Sequence, residues 1–319
     1  MSSGPEKDWQ QASCYLNGEW CALRDAKVSV LDRGFIFGDG VYEVISVDQF
    51  QDDRGSYRAP FQIREHFVRL QRSLDAVRIA NPLTIEQWFD LTAEVIDRNP
   101  WQRQLVYVQV TRGIAKRDHP FPSGVSPTVF VSTSPWPLIS NEQIEEGVAA
   151  VTHADERWLH CDIKSTSLLG NVLMKQYAID QGASETVMVR DGFLTEGSST
   201  NISVVKNGVV SMPPKTVQIL PGITVDGIAR ITQAHGVATE VRPVAAEELR
   251  TADEIWLSSS GREVLAIVSL DGAPVGSGKP GPMYRSMHQW FQQGKQADAE
   301  LWAMLRGRSS ACAPEARTR

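Results

Sequence analysis

A chain of 319 residues, 42% of them hydrophobic, is long enough for two domains with a substantial core and is not a small stapled scaffold. Its 32 basic and 38 acidic residues leave a net charge of -6 with no long Lys or Arg run, which argues against nucleic acid or an anionic membrane as partner and for a small molecule. Cys14, Cys21, Cys161 and Cys312 are scattered without CxxC or zinc-type spacing, MSSGPEKDWQ contains no apolar leader, and no apolar run nears the roughly 20 residues that span a bilayer, so a soluble protein of a reducing cytoplasm is expected.

In chain order, residues 1 to about 13 read as a loose polar stretch, and CYLNGEWCAL as a hairpin around an NG turn. VYEVISVDQF (41–50) and LVYVQVTRG (105–113) are β-branched and aromatic, as strands require, whereas 64–79 and 84–98 repeat Leu, Val, Ile and Phe at helical spacing. Pro135 and Pro137 interrupt the pattern after PTVFVSTS and put a linker at 135–140. GVAAVTH, TVMVR, NISVVKNG, GVVSM, EIWLSSS and VLAIVSL then read as strands of a sheet-rich second unit. Helices are predicted at 166–181, at 224–235 and from Met283 through Phe291. The expected organisation is a small α+β domain over 14–134, a larger domain over 141–305 and a disordered tail over 306–319.

Four segments carry candidate chemistry. RWLHCDIKST (157–166) alternates like a strand and ends at Lys164, after which Ser165 and Thr166 read as helix caps. A helix N-terminus favours a neutral amine, the form a Schiff-base nucleophile needs; a solvated surface lysine is the plain alternative. LTEGSSTN (194–201) reads as a turn whose Glu196 would matter beside a pyridine ring, and otherwise as a polar hairpin loop. LPGITVDGI puts Gly222 and Thr224 at a helix start, an anion site or an ordinary cap. TRGIAKRDHPFP leaves a strand with Arg117 and His119 in a proline-bounded loop, either a carboxylate clamp or a solvated basic loop. His153, His160, Cys161 and Asp162 fit no standard metal-ligand spacing, so no metal site is expected.

Taken together, DRGFIFGDGVYEVISV, REHFVRL, VYVQVTRGIAKRDHPFP, RWLHCDIKSTSLLGNVLMKQYA, TEGSSTNIS, PGIT and LSSSGRE, in that order from about residue 14 to 291, resemble the fold-type IV pyridoxal-phosphate aminotransferases, most closely the bacterial D-amino acid transaminases. The resemblance implies an α+β fold: a small N-terminal α/β sandwich and a larger pseudo-barrel domain that binds pyridoxal 5'-phosphate. It implies that Lys164 holds the cofactor covalently and shuttles the substrate's proton, and that Glu196 partners the pyridine nitrogen. Arg69, Ile223, Thr224 and Ser260 would hold the phosphate, with Ser198 and Ser199 on the cofactor side of the turn. Tyr42, Arg117 and His119 would trap the substrate's α-carboxylate, the last two from the neighbouring subunit of a homodimer. The implied reaction moves an amino group from a D-alanine-like donor to a 2-oxo acid such as 2-oxoglutarate. Within the same fold, a branched-chain aminotransferase, an R-selective amine transaminase or an aminodeoxychorismate lyase is the alternative. Two departures stand out: Asp118 between the trap residues, able to weaken the clamp, and Arg262 after Ser260, able to supplement the phosphate cup or to point outward.

Overall fold

The computed structural model describes residues 9–53 and 55–309. Cys312 and the predicted disordered tail from 310 on lie outside the described residues, as do 1–8 of the predicted loose start. Residues 9–13 are not loose: Trp9–Gln11 forms a 3-10 turn and Ser13 already begins a strand.

The first sheet comprises β1 (Ser13–Leu16), β2 (Glu19–Ala22), β3 (Gly40–Asp52), β4 (Gly55–Pro60), β5 (Gln104–Thr111) and β6 (Thr128–Pro135), in the order β2-β1-β6-β5-β3-β4, all antiparallel. Asn17 and Gly18, both at positive φ, make the tight turn between β1 and β2 that two-residue hairpins demand. Helix α1 (Arg33–Phe37) precedes β3, and α2 (Ile63–Ala76) and α3 (Ile85–Asp97) lie between β4 and β5. Thr84 and Gln87 close a capping box at the start of α3. Val106, Val108 and Val110, two residues apart on β5, turn to one face and pack with Phe67, Leu70 and Leu74 of α2 and Trp88 and Ile96 of α3.

The second sheet has nine strands: β7 (Val148–Ala154), β8 (Glu185–Arg190), β9 (Phe193–Gly197), β10 (Asn201–Lys206), β11 (Val209–Met212), β12 (Thr239–Val241), β13 (Glu254–Ser259), β14 (Glu263–Leu270) and β15 (Ala273–Pro274). Its order is β12-β11-β10-β13-β14-β7-β8-β9, with β15 beside β14. Helices α4 (Asn141–Glu146), α5 (Leu169–Asp180), α6 (Ile223–Ala234), α7 (Ala246–Thr251) and α8 (Pro282–Ser309) complete the fold. Both faces of the sheet's centre are covered. Ile255 and Leu257 join one apolar cluster, while Trp256 between them joins another with Ile228 of α6 and Met287 and Phe291 of α8. Further along α8, Ala299 and Trp302 enter the core of the first sheet, so this helix ties the two sheets together.

Three boundaries differ from the sequence reading. Strand β6 continues through Pro135, and Trp136 donates through its indole to the Gly261 carbonyl at 2.8 Å, so the linker is pinned to the second sheet. Residues 306–309 are helical rather than disordered: Trp302 packs in the core of the first sheet, and one turn on Arg306 donates to Asp97 at 2.9 Å. RWLHCDIK is not a strand but an irregular crossing between β7 and α5. Its apolar residues serve different surroundings: Ile163 packs on the core of the first sheet, Cys161 is buried, and Trp158 and Leu159 are exposed. Period-two alternation there reports no sheet.

Candidate active site

Lys164 is held by the first sheet although it lies in the second half of the chain. Its carbonyl accepts from Tyr42 N at 2.9 Å, its own N–H reaches Ser73 Oγ at 3.2 Å, and Thr166 N donates to Gly40 O at 3.0 Å, which stitches 164–166 to the start of β3. Ser165 and Thr166 are therefore not helix caps. Thr166 Oγ1 donates to the Gly38 carbonyl, and α5 begins only at Leu169 after Leu168, without a side-chain cap. The amine lies 4.3 Å from the centre of the Tyr42 ring. Burial lowers its pKa to about 8, aided by the Arg69 charge and opposed by Glu43 and Glu196. Desolvation and a neighbouring cation thus favour the neutral amine, the effect that the sequence reading ascribed to a helix terminus.

This depressed value has a consequence for stability. Below pH 8 the amine is charged in the folded and the unfolded protein alike, and its burial then destabilises the fold by roughly 3 kcal/mol. As pH rises from about 8 through the ordinary lysine value, this penalty fades. The Lys164→Met apoprotein is expected to melt higher than the parent apoprotein at pH 7, with the gap closing as pH approaches 10.5. A gap independent of pH in thermal melts would contradict the assignment.

Glu196 is the penultimate residue of β9, on the strand rather than in the turn that follows it. Arg157 donates to one carboxylate oxygen at 2.6 Å; Leu220 N at 3.0 Å and Asn201 Nδ2 at 3.2 Å donate to the other. Burial nevertheless pushes the Glu196 carboxyl up to about 7, with Arg157 and the Leu220 amide pulling against it. Gly222 makes this crossing possible, since a Cβ there would meet Asn201 Oδ1 at 1.8 Å. After Glu196, the buried Glu185 carboxylate takes hydrogen bonds from Ser198 N, Ser198 Oγ and Thr200 Oγ1 and so fixes the SST turn.

Arg69, on the buried face of α2, donates from Nε and Nη2 to the two oxygens of Glu43 at 2.7 and 2.8 Å and from Nη1 to Pro221 O at 3.2 Å. Against the effect of burial, Arg69 and His66 hold the Glu43 carboxyl down at about 2, so it is ionised. A guanidinium has five N–H groups, and these contacts use three, leaving one on each terminal nitrogen for an anion. Beside it, α6 starts at Ile223 after Gly222, which has no side chain to cap the first-turn amides. Thr224 is the second helical residue, not the N-cap.

Tyr42, Arg69, Lys164, Glu196, Ser198, Ser199, Ile223, Thr224 and Ser260 all line one cavity of about 310 Å³. Arg117 and His119 do not; both are exposed on their loop, flanking Phe37 at 5.4 and 5.6 Å. Asp118 directs one carboxylate oxygen to the His119 backbone N–H at 2.8 Å. Arg262 neither joins the cup nor points outward: it turns under the sheet to Ser184 O at 3.1 Å, with Glu185 at 3.8 Å. Sequence reading missed Glu43, Arg157 and Asn201. Arg157 and Asn201 stood in segments already singled out, but nothing in their spacing tells which carboxylate they meet.

An amine with a lowered pKa, a buried carboxyl near neutrality and an anion cradle in one cavity fit a cofactor with an aldehyde, a ring nitrogen and a phosphate. Residues 40–270 match the amino-transferase class IV family. The chain belongs to that family. This class IV aminotransferase is 38% identical over 281 residues to the D-alanine aminotransferase of Staphylococcus aureus strain MSSA476, covering 88% of this chain and 96% of that one. It is 37% identical over 278 residues to the D-alanine aminotransferase of Bacillus licheniformis, covering 87% and 95%. Among solved structures, the branched-chain amino acid aminotransferase from Escherichia coli superposes with a TM-score of 0.79 at 26% identity, covering 88% of this chain and 92% of that one. The aminotransferase also shares its fold with the fold IV transaminase CpuTA1 of Curtobacterium pusillum, at a TM-score of 0.71, 24% identity and coverage of 86% and 92%.

Proposed function

We propose that this aminotransferase moves the amino group of a D-alanine-like amino acid to a 2-oxo acid such as 2-oxoglutarate, using pyridoxal 5'-phosphate. The observation that carries the reading is the convergence of Lys164, Glu196 and the Arg69–α6 cradle on one cavity. When bound, the cofactor supplies the electron sink that makes the substrate's α-proton removable. Lys164 Nζ, neutral above about pH 8, attaches the cofactor and takes and returns that proton. Glu196 holds a proton at the ring nitrogen, while Arg157 and the Leu220 amide keep its carboxylate oriented. The free N–H groups of Arg69, the first amides of α6 and the hydroxyls of Thr224 and Ser260 bind the phosphate.

Similarity to D-alanine aminotransferases supports the hand of the donor, and so does the Arg117/His119 loop as a carboxylate clamp, with Tyr42 on the cavity wall. In this reading the enzyme is a homodimer and the loop serves the neighbouring subunit's cavity. The exposed Leu169, Val172 and Leu173 of α5, just past the lysine segment, support an interface there. No helix among the described residues is long and apolar enough to cross a membrane. A cytoplasmic location belongs to the same proposal.

D-alanine and L-alanine, supplied separately with 2-oxoglutarate, test the proposal through the pyruvate formed. Pyruvate from the D form is expected; transfer from the L form alone would replace this reading with a branched-chain-like one. Arg117→Ala is expected to raise the KM of the amino donor about tenfold, as when a charge-assisted hydrogen bond is removed, with cofactor content unchanged. Cofactor loss without a change in KM would contradict the clamp.

A further inference from the structure

We infer that Arg33 is a positioning residue for the substrate clamp: its guanidinium holds the backbone of the loop that carries Arg117 and His119. This rests on the reading of that loop as the carboxylate clamp. Arg33 is the first residue of α1 and only 4% exposed. Its Nη1 donates to Asp118 O at 2.5 Å and, more weakly, to Pro120 O at 3.5 Å, and its Nη2 donates to His119 O at 3.3 Å. Three successive carbonyls of an exposed loop without regular pairing are thus gathered on one side chain. A planar fork of fixed donors can do this, whereas a lysine ammonium has neither the reach nor the geometry.

The fork is itself anchored. Arg33 Nε meets Asp39 at 2.7 Å, and the same carboxylate takes Arg112 Nε at 2.8 Å and Nη2 at 2.9 Å. Arg112 in turn donates to Val77 O at 2.7 Å and Arg78 O at 3.1 Å, just past α2. The Phe121 ring sits against Arg112 at 3.7 Å, and the Phe37 ring, beside Arg117 and His119, lies 4.8 Å from Arg33. Both flanks of the loop are therefore tied through two arginines and one aspartate to the part of the fold that carries Arg69. Because a bound carboxylate needs its donors placed within fractions of an ångström, loosening this backbone weakens binding without touching the reacting atoms.

The test compares holoenzymes of Arg33→Met, Arg33→Lys, Arg117→Ala and the Arg33→Met/Arg117→Ala double variant in steady-state assays with D-alanine and 2-oxoglutarate, with thermal melts in parallel. Each Arg33 variant is expected to raise the KM of both substrates, which share the carboxylate site, about tenfold, with kcat changed by less than about threefold and full cofactor content. The double variant is expected to raise KM by less than the product of the two single effects, since Arg33 acts partly through Arg117 and partly through His119 on the same loop. Arg33→Lys keeps a cation beside Asp39 and carries the test if the methionine variant fails to fold. Unmoved KM in the Arg33 variants, while Arg117→Ala raises it, overturns the inference and leaves the clamp standing. Unmoved KM in Arg117→Ala removes the clamp and the inference with it. A rise in KM matched by an equal fall in kcat, both tracking a lowered melting temperature, would reduce Arg33 to a structural role and overturn the inference.

Discussion

Lys164→Ala is expected to abolish amino transfer while leaving the fold intact. The side chain makes no ion pair with any carboxylate among the described residues, and burial lowers its pKa, so the fold loses little when it is removed. The anchoring of the segment is all backbone: Tyr42 N to Lys164 O, Lys164 N to Ser73 Oγ, Thr166 N to Gly40 O. Each of these bonds survives in alanine. Chemistry does not survive, because among the described residues no other amine is held at the Tyr42 ring. Loss of the positioned base alone is worth on the order of 10²- to 10⁴-fold, and loss of the covalent anchor adds to it. Circular dichroism should match the parent and the apoprotein should melt no lower than the parent apoprotein at pH 7, while transfer in a coupled assay should fall to background. Full activity in this variant would refute the mechanism.

Glu196→Gln is the second substitution with a large expected effect. Glutamine keeps the shape and can still accept from Leu220 N and Asn201, but it cannot hold a negative charge at a ring nitrogen. The amide nitrogen would then face Arg157 Nη1, which loses that acceptor, but Arg157 would keep Asp155 as a partner at 2.9 Å. Because that charge matters most as the substrate loses its proton, the loss should fall on kcat, by on the order of 10²- to 10³-fold, more than on KM. A variant with unchanged kcat would mean that Glu196 is only a structural partner of Arg157.

Much of this was legible in the sequence, for unequal reasons. The helices over 63–76 and 85–97 and the β-branched strands were readable because local spacing and tertiary burial agree there. The site residues were readable only through the order of the motifs. Periodicity around Lys164 pointed to a strand, whereas the segment is an irregular crossing held by the far sheet. Glu43 was invisible as a site residue because its partners, His66 and Arg69, lie 23 and 26 residues away, and strand position alone does not reveal a charge buried behind the wall. Arg157 looked like one more polar residue of an alternating run until the fold brought it against Glu196. Arg33 likewise gave no sign that it would hold a loop 85 residues further on.

The cavity is lined by two lysines, and this offers a direct test. Lys175 also has its pKa lowered by burial, but its ammonium is turned to the Ser184 carbonyl, whereas Lys164 stands over Tyr42. Borohydride reduction of the holoenzyme, followed by peptide mass mapping, distinguishes them. The cofactor mass is predicted on the peptide holding Lys164; its appearance on Lys175, or on no lysine, would contradict the account.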